Sequence, residues 1–186
     1  MKLKFEKKDI LTVPNMLSFF RIILIPVIVV LYMKYQRYGW TIFVIMISGA
    51  TDVVDGWIAR HFNLVSDFGK ILDPIADKLT QAAILLCLGQ RFPNMIYIFL
   101  FMALKETIMG VTGLLSIHYS GEVHGADWHG KLTTCALYAM ILLHIVWYEI
   151  PVNVSDVSLI VVAGVMLISL TLYCSHNLEK IKKNKS

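Results

Sequence analysis

Thirteen of the 186 residues are acidic, and four of them, Asp52, Asp55, Asp73 and Asp77, fall inside long apolar runs. A carboxylate at the middle of a membrane helix costs roughly 2.5 to 3.5 kcal/mol, so the four together cost about 10 kcal/mol, and less near an interface. Arg60, Lys70 and Lys78 are the cations close by in sequence, and ion pairing with them alone looks insufficient. Asp52 and Asp55 are three residues apart, and Gly69, Asp73 and Asp77 repeat every four, so each set shares one helical face. Two helices joined by the short segment 61–68 run antiparallel and bring both acidic faces to the same end. Three or four carboxylates on rigid elements are hard oxygen ligands of the kind that suit Mg²⁺ or Mn²⁺, and enough to bridge a pair of them. Two divalent cations would nearly neutralise the four aspartates. Gly56 and Ala59 lie among the same residues. Small residues on a membrane helix commonly mean close packing, but beside two metals they also bare backbone that a base or a diphosphate can approach.

The elements that must carry these side chains follow from composition. The chain is 57% hydrophobic and 16% charged, with a mean hydropathy of +0.67, which excludes a large soluble domain. Apolar runs near 17–35, 40–60, 69–90, 94–117, 130–148 and 155–176 predict six spans. Lipid offers no partner to backbone amides, and the runs lack the period-two alternation of barrel strands, so the class is all-α. Residues 2–13 mix apolar and basic positions before Pro14 and suit either a short interfacial amphipathic helix or a disordered basic tail. With the N-terminus in the cytoplasm, eleven basic residues, Arg60, Lys70 and Lys131 among them, lie on that side. Lys34, Arg37 and Arg91 lie opposite. Both termini are then cytoplasmic, as is the acidic cluster. No linker or repeat divides the chain, so residues 1–186 read as one domain.

The +4 balance of 17 basic against 13 acidic residues makes no single stripe, which argues against nucleic acid. Cys87, Cys135 and Cys174 each stand alone in apolar runs and predict neither disulfides nor a thiolate zinc site. His118, His124 and His129 have no metal-ligand spacing, and Ser18 and Ser48 lack the partners of a nucleophile triad. His144 reads as a packing residue. Trp40, Trp57, Trp128 and Trp147, with Tyr32, Tyr35, Tyr38 and Tyr148, suit an aromatic belt.

Residues 52–77 read Asp-Val-Val-Asp-Gly-Trp-Ile-Ala-Arg, eight residues, then Gly-Lys-Ile-Leu-Asp-Pro-Ile-Ala-Asp. This resembles the signature of the CDP-alcohol phosphatidyltransferase family, DxxDGxxAR(x8)GxxxDxxxD, with every fixed position present. The resemblance implies transfer of a phosphatidyl group from CDP-diacylglycerol to an alcohol with release of CMP. It also implies Asp52, Asp55 and Asp73 as metal ligands and Asp77 as a shared ligand or the general base. Gly56 and Ala59 would line the cytidine diphosphate site, and Gly69 would permit close helix approach. Arg60 would grip phosphate, with a positive-inside anchor as the other reading. A homodimer is implied as well.

Val13-Pro14-Asn15-Met16-Leu17-Ser18 with Arg21, Leu104-Lys105-Glu106, and Gly130-Lys131 with Thr134 are similar to elements of the bacterial phosphatidylglycerophosphate synthases, whose acceptor is glycerol 3-phosphate. Asn15, Arg21, Lys105 and Lys131 are the substrate-binding candidates that this adds. Lys105 stands where that subgroup has Arg, and Thr133 where it has Lys, so a cardiolipin synthase or an inositol-phosphate transferase stays open. Arg21 has two further readings, snorkelling to the interface or pairing with Glu106. Outside the family, an intramembrane cation transporter also explains the carboxylates, but not Gly56, Ala59 and Arg60 at fixed offsets.

Overall fold

A computed structural model describes residues 12–62, 68–120, 128–147 and 149–183, and among them every regular element is helical. The helices are α1 (Val13–Val29), a π-helical turn (Val30–Lys34), α2 (Tyr38–His61), α3 (Gly69–Gly89), α4 (Met95–Ser120), α5 (Trp128–Val146) and α6 (Val152–Lys183). The basic segment 2–11, the loop residues 63–67, Glu122, His124, Asp127 and Tyr148 lie outside the described residues. So do the side chains of Ala59, Arg60, Lys70, His118 and His129.

Helix ends follow local chemistry. Thr12 is extended and Pro14 opens α1, where a missing N–H costs nothing and the fixed φ already fits a helix. Pro26 sits inside α1, and the helix relaxes beyond it into the π turn, with Tyr35 N–H reaching the Val30 carbonyl at 3.2 Å. Gln36 then takes a left-handed φ of 51° and turns the chain into α2.

Four helical stretches are long and apolar enough to cross a bilayer: Val13–Lys34, Tyr38–Ile58, Met95–Gly113 and Val152–Asn177. The apolar part of α5, Gly130–Val146, is shorter. Helix α3 spans 21 residues, about 31 Å of helix and enough to cross, but Lys70, Asp73, Asp77 and Lys78 crowd its first half. Ile23, Trp40, Tyr97, Val146 and Ile160 are all more than 60% exposed, as lipid-facing side chains are; such a surface in water would drive aggregation. The protein is an all-α membrane protein. Tyr32 departs from the aromatic-belt expectation: it is buried and packs edge-on against Tyr38, with ring centroids 5.3 Å apart.

Residues 1–87 and 88–186 form two compact units. In the first, α1 packs on α2, and the π turn touches both. In the second, α4 and α5 pack on α6. His144 joins that pair: Nδ1 lies 2.8 Å from the Met140 carbonyl and Nε2 2.9 Å from Ser155 Oγ, with the Phe92 ring edge-on at 4.9 Å. A carbonyl only accepts, so Nδ1 carries the proton and Nε2 accepts from Ser155. His144 is a packing residue with both nitrogens matched. Ser155→Ala strands Nε2 in an apolar surrounding, and the thermal midpoint in detergent should fall by roughly 2 to 8 °C with activity unchanged; an unaltered melting curve would show that the bond carries no stability.

Candidate active site

The site lies in the first unit, and α1 contributes as much to it as the acidic helices do. Pro14, Asn15, Ser18 and Arg21 are buried on one face of α1, the i, i+4, i+7 stripe of a helix pressed against its neighbour. Arg21 is 1% exposed. Its Nη2 donates to Asp55 Oδ2 at 2.5 Å, and its Nη1 lies 2.5 Å from Asp52 Oδ1. The two carboxylates differ in setting, since the Asp55 side chain is 3% exposed and that of Asp52 50%. The strong part of the interaction is therefore with Asp55; the Asp52 contact is partly screened by its surroundings. Arg21 neither snorkels nor stands alone, and its anionic partners are Asp52 and Asp55.

Asp73 on α3 receives a hydrogen bond from the Ser18 hydroxyl, which also lies 3.2 Å from the Pro14 carbonyl one turn back. Asp77 receives one from Gln81 Nε2 at 3.0 Å. Each motif aspartate thus has a polar or charged partner from the protein, a hydrogen-bond donor for Asp55, Asp73 and Asp77 and an ion pair for Asp52. Among the described residues no group of three or more His, Cys, Asp or Glu side chains is gathered closely enough to hold a metal ion. The donor set nonetheless fits a hard divalent cation. It is all carboxylate oxygen, and a guanidinium holds the place of a positive charge between two of the aspartates. Arg21 Nε is buried without an acceptor, and Nη1 meets Asp52 without hydrogen-bond alignment, so the pairing is electrostatic more than geometric.

Gly56 is half-buried in α2 and Gly69 buried at the start of α3, and Asn15 is buried on α1. In the second unit Lys105 is 2% exposed and donates to Glu106 at 2.9 Å, while Lys131 is exposed on the first turn of α5. Reading the sequence missed Ser18 and Gln81. The available signal was spacing: Ser18 lies three residues before Arg21, and Gln81 continues the four-residue repeat of Gly69, Asp73 and Asp77.

The model of the CDP-alcohol phosphatidyltransferase family matches residues 11–174. The chain belongs to that family. Among its relatives, the CDP-diacylglycerol–glycerol-3-phosphate 3-phosphatidyltransferase of Bacillus subtilis is 32% identical, over 91% of this chain and 96% of that protein. The enzyme of the same name from Pseudomonas fluorescens is 36% identical over 46% of this chain and 45% of its own length. A cardiolipin synthase (CMP-forming) of Streptomyces coelicolor is 33% identical over 59% and 54%. The chain is therefore a phosphatidyltransferase, and the transporter reading gives way to it.

In this phosphatidyltransferase, removing one partner of a buried ion pair costs more than the pair gains, because the charge left behind is uncompensated. Arg21→Met should lower the thermal midpoint in EDTA-containing detergent by roughly 10 °C, and Arg21→Met/Asp55→Asn should recover most of it. A single variant melting within about 2 °C of the parent would refute the pairing.

Proposed function

We propose that the chain transfers the phosphatidyl group of CDP-diacylglycerol to glycerol 3-phosphate, giving phosphatidylglycerophosphate and CMP. The end-to-end match to the Bacillus subtilis enzyme carries this reading, with the complete aspartate motif of residues 52–77 beside it. The cardiolipin synthase of Streptomyces coelicolor matches little more than half of either chain, which supports that acceptor less well. The match over residues 11–174 supports treating the chain as one domain.

In this reading Asp52, Asp55, Asp73 and Asp77 would hold two divalent cations, Mg²⁺ or Mn²⁺. When bound, these supply positive charge to the diphosphate oxygens and to the charge developing on the departing phosphate. The chain's own residues do the rest. Asp77 accepts the proton of the acceptor hydroxyl as that oxygen bonds to the lipid-side phosphorus. The bond from that phosphorus to the bridging oxygen breaks, and CMP leaves with the electron pair. Ser18 and Arg21 fix the carboxylates of α2 and α3 before substrate arrives, so little reorganisation remains for the reacting state. Gly56, Ala59 and Gly69 leave room for the cytidine diphosphate, and Arg60 grips phosphate. Asn15, Lys105 and Lys131 are the remaining candidates for binding substrate. The excess of basic residues at both termini supports a cell-membrane protein with termini and site toward the cytoplasm, and the family resemblance supports a homodimer.

The test is purified protein in detergent with CDP-diacylglycerol, radiolabelled glycerol 3-phosphate and Mg²⁺ or Mn²⁺, scored for CMP and for lipid-extractable label. Both products should appear, vanish with EDTA, and fall at least about 100-fold in Asp77→Asn. Label transfer only to phosphatidylglycerol or inositol phosphate would keep the family chemistry and overturn the acceptor.

A further inference from the structure

Gln81 is fully buried and lies one turn beyond Asp77 on the same face of α3. Its carboxamide donates through Nε2 to Asp77 Oδ2 at 3.0 Å. A carboxylate only accepts, so this contact fixes which end of the amide is nitrogen and leaves Oε1 as an acceptor. Oε1 is buried with no hydrogen-bond partner among the described residues. The neighbouring Thr80 hydroxyl is committed to the Ala76 carbonyl at 2.9 Å. A buried amide oxygen left unmatched is a standing cost, and such groups are rare unless something else supplies the donor. Asp77 and Gln81 therefore present oxygen acceptors on two touching side chains, one of them without a donor.

We propose that Gln81 is a positioning and specificity residue for an acceptor bearing two hydroxyls on adjacent carbons. Asp77 takes the proton of the attacking hydroxyl, and Gln81 Oε1 accepts a hydrogen bond from its neighbour while Nε2 holds the Asp77 carboxylate in place. This rests on the assignment of Asp77 as the base. It narrows the acceptor class to vicinal diols, a chemistry that glycerol 3-phosphate, the glycerol headgroup of phosphatidylglycerol and inositol phosphate share.

The deciding comparison is glycerol 3-phosphate against 3-hydroxypropyl phosphate, which keeps the primary hydroxyl and the phosphate and lacks only the middle hydroxyl. The parent enzyme should favour glycerol 3-phosphate in kcat/KM by roughly 10- to 100-fold, the range that one buried hydrogen bond commands. Gln81→Met, close in shape and without an amide, should bring that preference below about threefold, with KM for CDP-diacylglycerol unchanged and the thermal midpoint held or raised. Gln81→Leu serves the same comparison if the methionine variant does not fold. Equal use of both acceptors by the parent overturns the proposal and leaves the acceptor assignment standing. So does a variant that loses activity on both equally and melts lower, because that marks a packing role. Transfer by the parent to neither compound, with transfer to an alcohol lacking an adjacent hydroxyl, overturns this proposal and the assigned acceptor together.

Discussion

The guanidinium of Arg21, shut into the first span with Asp55 on one side and Asp52 on the other, is the interaction on which the rest of the first unit turns. None of the three charges could rest alone in hydrocarbon, and each makes the others tolerable. The consequence is geometric before it is chemical. Because Arg21 must reach both carboxylates, α1 has to lie against α2 with its polar stripe turned inward, and that orientation carries Ser18 to Asp73 on α3. One ion pair thus sets the rotation of α1 and, through it, the position of a second acidic helix.

The side chains that meet the aspartates come from more than one helix. Asp52 and Asp55 share the positive charge of Arg21, while Asp73 accepts from the Ser18 hydroxyl and Asp77 from the Gln81 carboxamide. A donor of either kind favours the ionised carboxylate and fixes its orientation. The carboxylates of α2 and α3 are thus held in place by side chains of α1 and of α3 itself.

Much of this was legible in the sequence for plain reasons. Runs of apolar residues located five helices to within about four positions, α1 counted with its π turn, because in lipid a span has almost no alternative to helix. They missed the last seven residues of α6, whose polar and basic composition leaves the apolar run. The spacing of Asp52, Asp55, Asp73 and Asp77 placed them on faces, because helical period is local. Contacts between helices are not local, and there the reading stopped. Arg21 was visible as an intramembrane charge, but its partners, 31 and 34 residues away, follow from how α1 is rotated against α2. Ser18 lacks the partners of a nucleophile, but a hydroxyl without a base beside it is well suited to donate to a carboxylate. Tyr32 sat near a span end, as belt residues do, yet the π turn that follows Pro26 rolls it inward onto Tyr38.

The second unit shows how buried polar groups look when they serve structure. His144 has both nitrogens matched, and at the surface Asn94 on the turn before α4 donates to Asp156 on α6 at 2.9 Å. Lys105 differs. An ammonium has three donors, and in Lys105 one of them goes to Glu106. An acceptor phosphate that reached this lysine would meet a charge already shared with a carboxylate, and a point charge where a guanidinium would offer a planar fork. Phosphate binding at such a residue is less discriminating than at an arginine. Directional hydrogen bonds, such as the one Gln81 makes to Asp77 within the first unit, select more sharply than a point charge of this kind.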